Sequence, residues 1–149
     1  MTQPKIDRTA RWIQVVRESF AQIESRGSIA SLVFYQRLFT LDASLRAFFQ
    51  HDIEQQGEKL MQVLRFAVAT LDNPRALVPE LEALGRRHGC YGVRDEHYAT
   101  VGVALIDTVA RLLGPAFTPE VEEAWTAVHA FMSETMKNAA AVEQNHSSS

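Results

Sequence analysis

One histidine falls on an otherwise apolar stripe of the chain. His88 follows Leu77, Leu81 and Leu84 at steps that place all four side chains on one face of a helix. The imidazole is therefore predicted to point inward, with Nδ1 within reach of the Leu84 carbonyl and Nε2 left for another partner. Two interpretations stay open: a core histidine bonded to a side chain or water, or a ligand that holds a metal from one side.

Two more polar side chains lie on predicted apolar faces of other helices. Tyr35 belongs to the inward face of its helix, and Gln56 lies one turn before Leu60 at the edge of another apolar stripe. Taken singly, a tyrosine bonded to a carbonyl and a solvated glutamine are the simpler interpretations. A shared polar site would account for Tyr35, Gln56 and His88 together, since each is costly on an apolar face without a partner.

This set contains only one strong metal ligand, which argues against a bare ion, because zinc sites usually take three or four protein ligands. A cofactor would have to bring the remaining ligands. Haem does so with its equatorial nitrogens, leaving one axial position for a histidine and the opposite one open. There, a phenol and an amide could donate hydrogen bonds to a diatomic gas. No P-loop, dinucleotide fingerprint or H-E-x-x-H motif occurs.

Helices must position these side chains, and no strand-like alternation or internal repeat occurs, so the chain is predicted to be all-α. The segment that opens at Pro74 and carries His88 is expected to form short helices with irregular joins, ending at Gly89 and Gly92. A single domain is predicted over residues 1–142. Residues 143–149 are expected to be a disordered end or an expression remnant. The other predicted helices run from Asp7 or Thr9 to about Gly27, Ile29 to Leu41, Glu54 to Leu71, Asp95 to Gly114 and Thr118 onward, with a short helix or turn over 42–50.

Composition narrows the class of protein. The chain has 149 residues, 46% of them hydrophobic, which suits one domain with a sizeable core. A net charge of −3 and no basic cluster larger than Arg86-Arg87 argue against a nucleic-acid surface. No apolar run approaches a membrane span and the N-terminus has no apolar signal core, so a cytoplasmic protein without a membrane partner is expected. The single cysteine, Cys90, excludes a disulfide within the chain and a C-x-x-C-H haem attachment.

Taken together, these residues resemble bacterial single-domain globins, close to the haem domain of flavohaemoglobins and to the neuroglobin-like globins of extremophilic bacteria. The similarity runs from about Asp7 to Lys137. In that family LGRRHGCYGV carries the proximal histidine, which falls on His88, and FYQRLF carries the distal tyrosine, which falls on Tyr35. GEKLMQVL follows the distal position and implies Gln56 as the distal glutamine. The resemblance implies a globin fold of about six to eight helices around one haem b.

The resemblance also implies further contacts with the cofactor. Phe49 matches the phenylalanine on the haem edge, and Tyr98 matches a tyrosine that supports the proximal histidine. Lys59 and Arg87 could pair with haem propionates, although solvated side chains are the simpler interpretation. His51, Lys59 or Tyr35 could reach the open axial position. The full predicted set of contacts is His88, Tyr35, Gln56, Phe49, Leu60, Leu84, Val93, Tyr98, Lys59 and Arg87.

Two departures from flavohaemoglobins matter for function. The glutamate that bonds the proximal histidine there is replaced by Ala140, with Glu134 and Glu143 the nearest carboxylates. Its absence favours reversible binding over peroxidase-like turnover, because a carboxylate would make the imidazole a stronger donor. The chain also ends before any flavin or nicotinamide domain could begin, so it is expected not to reduce its own iron.

Three hypotheses follow. The first is a haem protein that binds O2, CO or NO at ferrous iron, with Tyr35 and Gln56 stabilising the ligand, high O2 affinity and a role in oxygen binding, storage or transport. The second is a nitric oxide dioxygenase that detoxifies nitric oxide with the same two residues and an external reductase. The third is a helical interaction module without haem. A monomer or weak oligomer is expected, and Tyr91, His97 and His129 receive no role.

Overall fold

The structure is a computed structural model that describes residues 8–49 and 52–147. Within them the chain forms helices without strands, as the sequence predicts. Two short 3₁₀ helices, Ala43–Phe48 and Gly114–Ala116, join longer elements. The α-helices are α1 (Arg8–Glu24), α2 (Gly27–Leu41), α3 (Ile53–Ala69), α4 (Pro74–Cys90), α5 (Asp95–Leu113) and α6 (Pro119–Ser147).

Helix α4 is one continuous helix, so the expectation of short helices with irregular joins in this segment is wrong. Pro74 lies at its start, where a missing N–H removes no intrahelical bond, and Pro79 follows inside the helix. A proline this near the N-terminus interrupts little of the ladder, and packing holds the helix together. Leu77 and Leu81 are almost fully buried on its inner face, as the stripe predicts.

Helix α6 continues to Ser147 and so includes most of the stretch that the sequence suggests as a disordered end. Its beginning follows the expected rule: the Thr118 hydroxyl accepts a hydrogen bond from the Val121 amide, and Pro119 occupies the first turn. At the other end, alanine, glutamate and glutamine are good helix formers that favour continuation through 139–144. The helix therefore extends five residues beyond residue 142.

Small residues let two pairs of helices approach closely. α4 crosses α6 at Gly85, where an added Cβ would lie 2.3 Å from the carbonyl oxygen of Met136. α3 meets α2 at Gly57, where a Cβ would lie 2.6 Å from Ser31 Oγ. These contacts fix the helix that carries His88 against α6, and the helix that carries Gln56 against α2.

The core consists of three clusters of buried side chains. The first joins α1, α3, α5 and α6 around Val16 and Trp125. The second joins α2 to α3 and α5 around Phe34 and Tyr35, and the third joins α4, α5 and α6 around Leu77 and Tyr98. Within the first, Trp125 Nε1 donates to Ser19 Oγ at 2.8 Å, which satisfies a buried indole.

Helix α5 is unusually apolar. The stretch Asp95–Ala116 is long and apolar enough to cross a membrane by length and composition, with a mean hydropathy of 1.3. This differs from the expectation that no apolar run of the chain approaches the length of a membrane-spanning helix. The helix contacts α2 and α6, and its Asp107 carboxylate lies 2.6 Å from Arg37 Nε of α2. A core helix of a soluble domain passes the same test, so the absence of a membrane span stays a prediction.

Candidate functional site

A cavity of about 210 Å³ lies where the three clusters meet. Its wall is almost entirely apolar, and the exceptions are histidines, one tyrosine and one serine. Such a pocket, with few polar groups that converge, is typical of a site for a large apolar cofactor or ligand. The polar lining residues are His88, His97, Tyr98, His129 and Ser133, and the apolar ones include Phe34, Leu45, Phe48, Phe49, Leu60, Val63, Val93, Val101, Leu105, Met132 and Met136.

His88 lies in the last turn of α4, and the end of that helix is built to hold it. The amide of Val93 donates to the His88 carbonyl at 3.0 Å, and the amide of Gly92 donates to the Gly89 carbonyl at 3.1 Å. A turn closed by these two hydrogen bonds needs one residue with a left-handed backbone conformation, and Gly92 provides it with a φ of 87°. The turn brings Val93 back beside His88, so both line the cavity.

The two ring nitrogens of His88 have different environments. Tyr98 Oη of α5 lies 3.4 Å from Nδ1, whereas the sequence predicts the Leu84 carbonyl as that partner. The tyrosine reaches Nδ1 from another helix, a tertiary contact that local spacing does not reveal. Burial lowers the pKa of His88, and the positive charge of Arg87 lowers it further. The ring is therefore neutral near pH 7, with Nε2 available as a ligand atom.

The predicted distal residues belong to α2, α3 and the segment between them. Tyr35 is 5% exposed, and its ring packs edge-on against Phe49 with centroids 5.1 Å apart. It belongs to the same cluster as Leu60, and burial raises its pKa to about 12. Gln56 is half-buried one turn before Leu60. Phe49 and Leu60 form part of the wall, whereas Tyr35 and Gln56 do not line the cavity.

The other predicted contacts divide between the cavity and the surface. Tyr98 and Val93 line the cavity. Leu84 and Arg87 instead line a neighbouring groove between α3 and α4, and Lys59 is exposed on α3. The remaining candidate, His51, lies outside the described residues.

Among the side chains that the structure describes, the polar groups beside His88 are the Tyr98 hydroxyl and the Arg87 guanidinium, and the replacement of the proximal glutamate by Ala140 stays a prediction. The face of α6 toward the cavity carries Met132, Ser133 and Met136. Glu134 is largely exposed and lies 3.8 Å from Lys137. Lys137 Nζ lies 5.8 Å from the centre of the Tyr98 ring, so a cation is found beside the proximal pair.

Two histidines that received no role from the sequence line the cavity. The Arg94 amide donates to Nδ1 of His97 at 2.9 Å, and the imidazole packs edge-on against Phe48. On α6, His129 Nε2 lies 3.1 Å from Ser133 Oγ. Helical spacing held the missed signal: His129 continues the stripe from Trp125 toward Met132, and His97 lies four residues before Val101.

The family model for globins matches residues 32–136, which contain His88, the whole of α5 and every residue that lines the cavity except Val16. The chain is a globin. Its all-helical fold is the globin fold predicted from the sequence. Family membership implies a haem cofactor, and the cavity fits one: its wall is apolar, it presents one imidazole with Nε2 available, and no cluster of three metal-binding side chains occurs among the described residues.

The proteins that are similar to this chain in sequence include flavohemoproteins. The one from Vibrio cholerae is 30% identical over 129 residues, which covers 85% of this globin and 33% of the relative. The chain thus spans about a third of the length of such relatives.

Among solved structures, an engineered carbene transferase from Rhodothermus marinus, described as a candidate nitric oxide dioxygenase, has a TM-score of 0.83 at 24% identity. The match covers 99% of this chain and 100% of that one. A bacterial globin from Campylobacter jejuni has a TM-score of 0.79 at 17% identity, covering 91% of this chain and 99% of that one. These likenesses support the fold.

Proposed function

We propose that this globin binds haem b through His88 Nε2 and binds O2 reversibly and tightly. The observation that carries the proposal is the placement of His88 on the wall of an apolar cavity, with Tyr98 at its other ring nitrogen. When bound, haem would supply an iron that can take up a diatomic gas. Everything else about ligand choice and affinity then depends on the residues around it.

The proximal residues fix the imidazole. The closed turn at Gly92 holds the His88 backbone, and the contact with Tyr98 Oη restricts the ring and favours a proton on Nδ1 rather than Nε2. Phe49 and Leu60 add apolar surface to the cavity wall, which disfavours water there. A dry pocket strengthens any hydrogen bond made inside it.

The distal donors are Tyr35 and Gln56. Because its pKa is raised to about 12, the Tyr35 hydroxyl keeps its proton at neutral pH and can donate. Its ring packs against Phe49, which lines the cavity, so the proposed contact with a ligand needs the Phe49 ring to move. Gln56 lies beside Leu60 and would support the same ligand. A donor to a partly negative ligand slows its release, which is the basis for proposing high affinity.

Nitric oxide dioxygenation with an external reductase is the second candidate. It uses the same haem site and the same Tyr35 and Gln56 pair. The similarity to flavohemoproteins favours this candidate. Their name joins flavin to haem, and their chains extend well beyond the part that matches this globin. Catalytic consumption of nitric oxide with an added reductase and NAD(P)H would support this candidate. A single stoichiometric reaction would exclude it and leave reversible O2 binding as the proposed function.

Optical spectra of the purified protein test haem binding. We expect a Soret band that shifts on adding CO, and its loss in His88→Ala. The other two histidines that line the cavity already have a ring nitrogen engaged, His97 Nδ1 by the Arg94 amide and His129 Nε2 by Ser133 Oγ. Tyr91→Ala is a matched control, since Tyr91 lies in the same corner but is 74% exposed. An unchanged Soret band in His88→Ala would refute the assignment of the ligand.

Stopped-flow O2 dissociation tests the distal donors. Loss of one charge-assisted hydrogen bond is worth about 1.5–3 kcal/mol, so Tyr35→Phe should release O2 roughly 10- to 100-fold faster. Tyr91→Phe removes the same hydroxyl at an exposed position and should leave the rate unchanged. A Tyr35→Phe rate equal to that of the unsubstituted protein would show that Tyr35 does not contact the ligand.

A further inference from the structure

The proximal histidine of this globin is connected to a cation. Tyr98 links the two: its hydroxyl lies 3.4 Å from His88 Nδ1, and Lys137 Nζ lies 5.8 Å from its ring centre. The Lys137 side chain is 26% exposed, so its charge is only partly screened by solvent. These three residues come from α4, α5 and α6, and the close approach of α4 to α6 at Gly85 fixes their spacing.

We propose that Lys137 is a positioning residue that weakens the proximal histidine as an electron donor by polarising Tyr98. The proposal rests on the proposed role of His88 as the haem ligand. A cation near an aromatic ring is attracted by its π electrons and draws electron density from the ring and its oxygen. Tyr98 Oη then accepts a poorer hydrogen bond from Nδ1–H, and the imidazole keeps less imidazolate character.

The surroundings of this pair agree with a weak proximal hydrogen bond. At 3.4 Å, the separation of Tyr98 Oη and His88 Nδ1 is long for a hydrogen bond to a hydroxyl. No described carboxylate forms a hydrogen bond or ion pair with either group; burial raises the pKa of Tyr98, and the charge of Asp95 raises it further from a distance. Glu134, 3.8 Å from Lys137 Nζ, is largely exposed, so solvent screens most of its neutralising effect.

The charge of Lys137 also reaches the interior beside Tyr98. Burial lowers the pKa of His129, and Lys137 lowers it further, while a hydrogen bond to the Tyr98 backbone acts in the opposite direction. His129 and Lys137 thus both lie on α6 close to Tyr98, His129 toward its backbone and Lys137 over its ring. A weakly donating histidine suits reversible binding and disfavours cleavage of an O–O bond.

Resonance Raman spectroscopy of the ferrous, ligand-free protein measures the strength of the iron–histidine bond. We expect the iron–histidine stretch of Lys137→Gln to move to higher frequency and that of Lys137→Glu to move further in the same direction. Lys137→Arg keeps the charge and should match the unsubstituted protein. The midpoint potential of the iron should be highest in Lys137→Arg, lower in Lys137→Gln and lowest in Lys137→Glu.

Repeating the Lys137 substitution in a Tyr98→Phe background distinguishes an effect transmitted through the Tyr98 hydroxyl from a direct electrostatic effect of Lys137 on the iron. In Tyr98→Phe, removing the charge with Lys137→Gln should no longer shift the stretch, because the hydroxyl that transmits the effect is gone. Arg111→Gln removes one positive charge from the far end of α5 and is the matched control.

Equal stretches for Lys137→Gln and the unsubstituted protein would overturn the inference, as would a shift that persists in Tyr98→Phe or occurs in Arg111→Gln. Failure of the proposed function looks different: a protein without a haem spectrum gives no iron–histidine stretch at all. The two failures are therefore distinguishable in the same samples.

Discussion

A single methyl group at Gly85 should separate the helix that carries His88 from α6. A Cβ at this position would lie 2.3 Å from the Met136 carbonyl oxygen and 2.7 Å from its Cα. Since non-bonded heavy atoms normally lie about 3.5 Å apart, α4 and α6 would have to separate by about 1 Å in Gly85→Ala. The obstacle is backbone, which cannot rotate away as a side chain could.

The cost of this separation can be estimated from two opposing effects. Overpacking a core typically lowers the free energy of unfolding by about 1–3 kcal/mol, and a backbone obstacle places this case at the upper end. Alanine is a better helix former than glycine by about 1 kcal/mol, which offsets part of the loss. We therefore expect a net loss of about 2 kcal/mol, equivalent to a melting temperature about 4–8 °C lower for a domain of this size.

Urea unfolding followed by circular dichroism measures this difference. Both proteins need equal haem loading, because a ligand that binds only the folded state adds to stability. Gly27→Ala is the control, since the nearest atom to a Cβ there is a Met61 side-chain carbon at an ordinary 3.6 Å. It should be neutral or slightly stabilising. A Gly85→Ala protein as stable as the unsubstituted one would refute the reasoning about the α4–α6 contact.

Two further predictions concern buried polar groups. Trp125→Phe removes the indole donor to Ser19 Oγ and leaves a void, so the free energy of unfolding from urea titrations should fall by about 1–3 kcal/mol; a loss below the error of the titration would show that the bond contributes nothing. Burial raises the pKa of Tyr35 from the ordinary tyrosine value of 10.0 to about 12, because it favours the protonated form. Its contribution is complete below pH 10 and is lost as the pH rises toward 12, so urea midpoints should fall more steeply there for the unsubstituted protein than for Tyr35→Phe. Parallel slopes would contradict the raised pKa.

Local patterns predicted the parts of this globin that depend on one helix at a time. The stripe of Leu77, Leu81 and His88 gave the inward face of α4, and the glycines after it gave the end of that helix. The globin fold came from the resemblance, because helical periodicity alone does not fix how helices cross. The contact of Gly85 with Met136 joins residues far apart in the chain, and nothing in either local pattern indicates it.

The candidate site shows the same division. Spacing suggested the Leu84 carbonyl as the partner of His88 Nδ1, yet the contact that forms comes from Tyr98 on the next helix. Proline statistics suggested an interrupted segment at Pro79, but packing of its leucines keeps α4 whole. The sequence assigns no role to His129, because a histidine on one helix can serve in packing, hydrogen bonding or ligand binding. Only the packing of α6 against α5 places it on the cavity wall.

The cavity lies where the three buried clusters meet, so a cofactor bound there would contact α3, α4 and α5 at once. Because a group that binds only the folded protein adds to its stability, these helices should open less often with the cofactor bound than without it. Proteases act on such openings. The amount of this globin that a cell retains should therefore follow its porphyrin supply, with newly made chains degraded faster when the pigment is scarce.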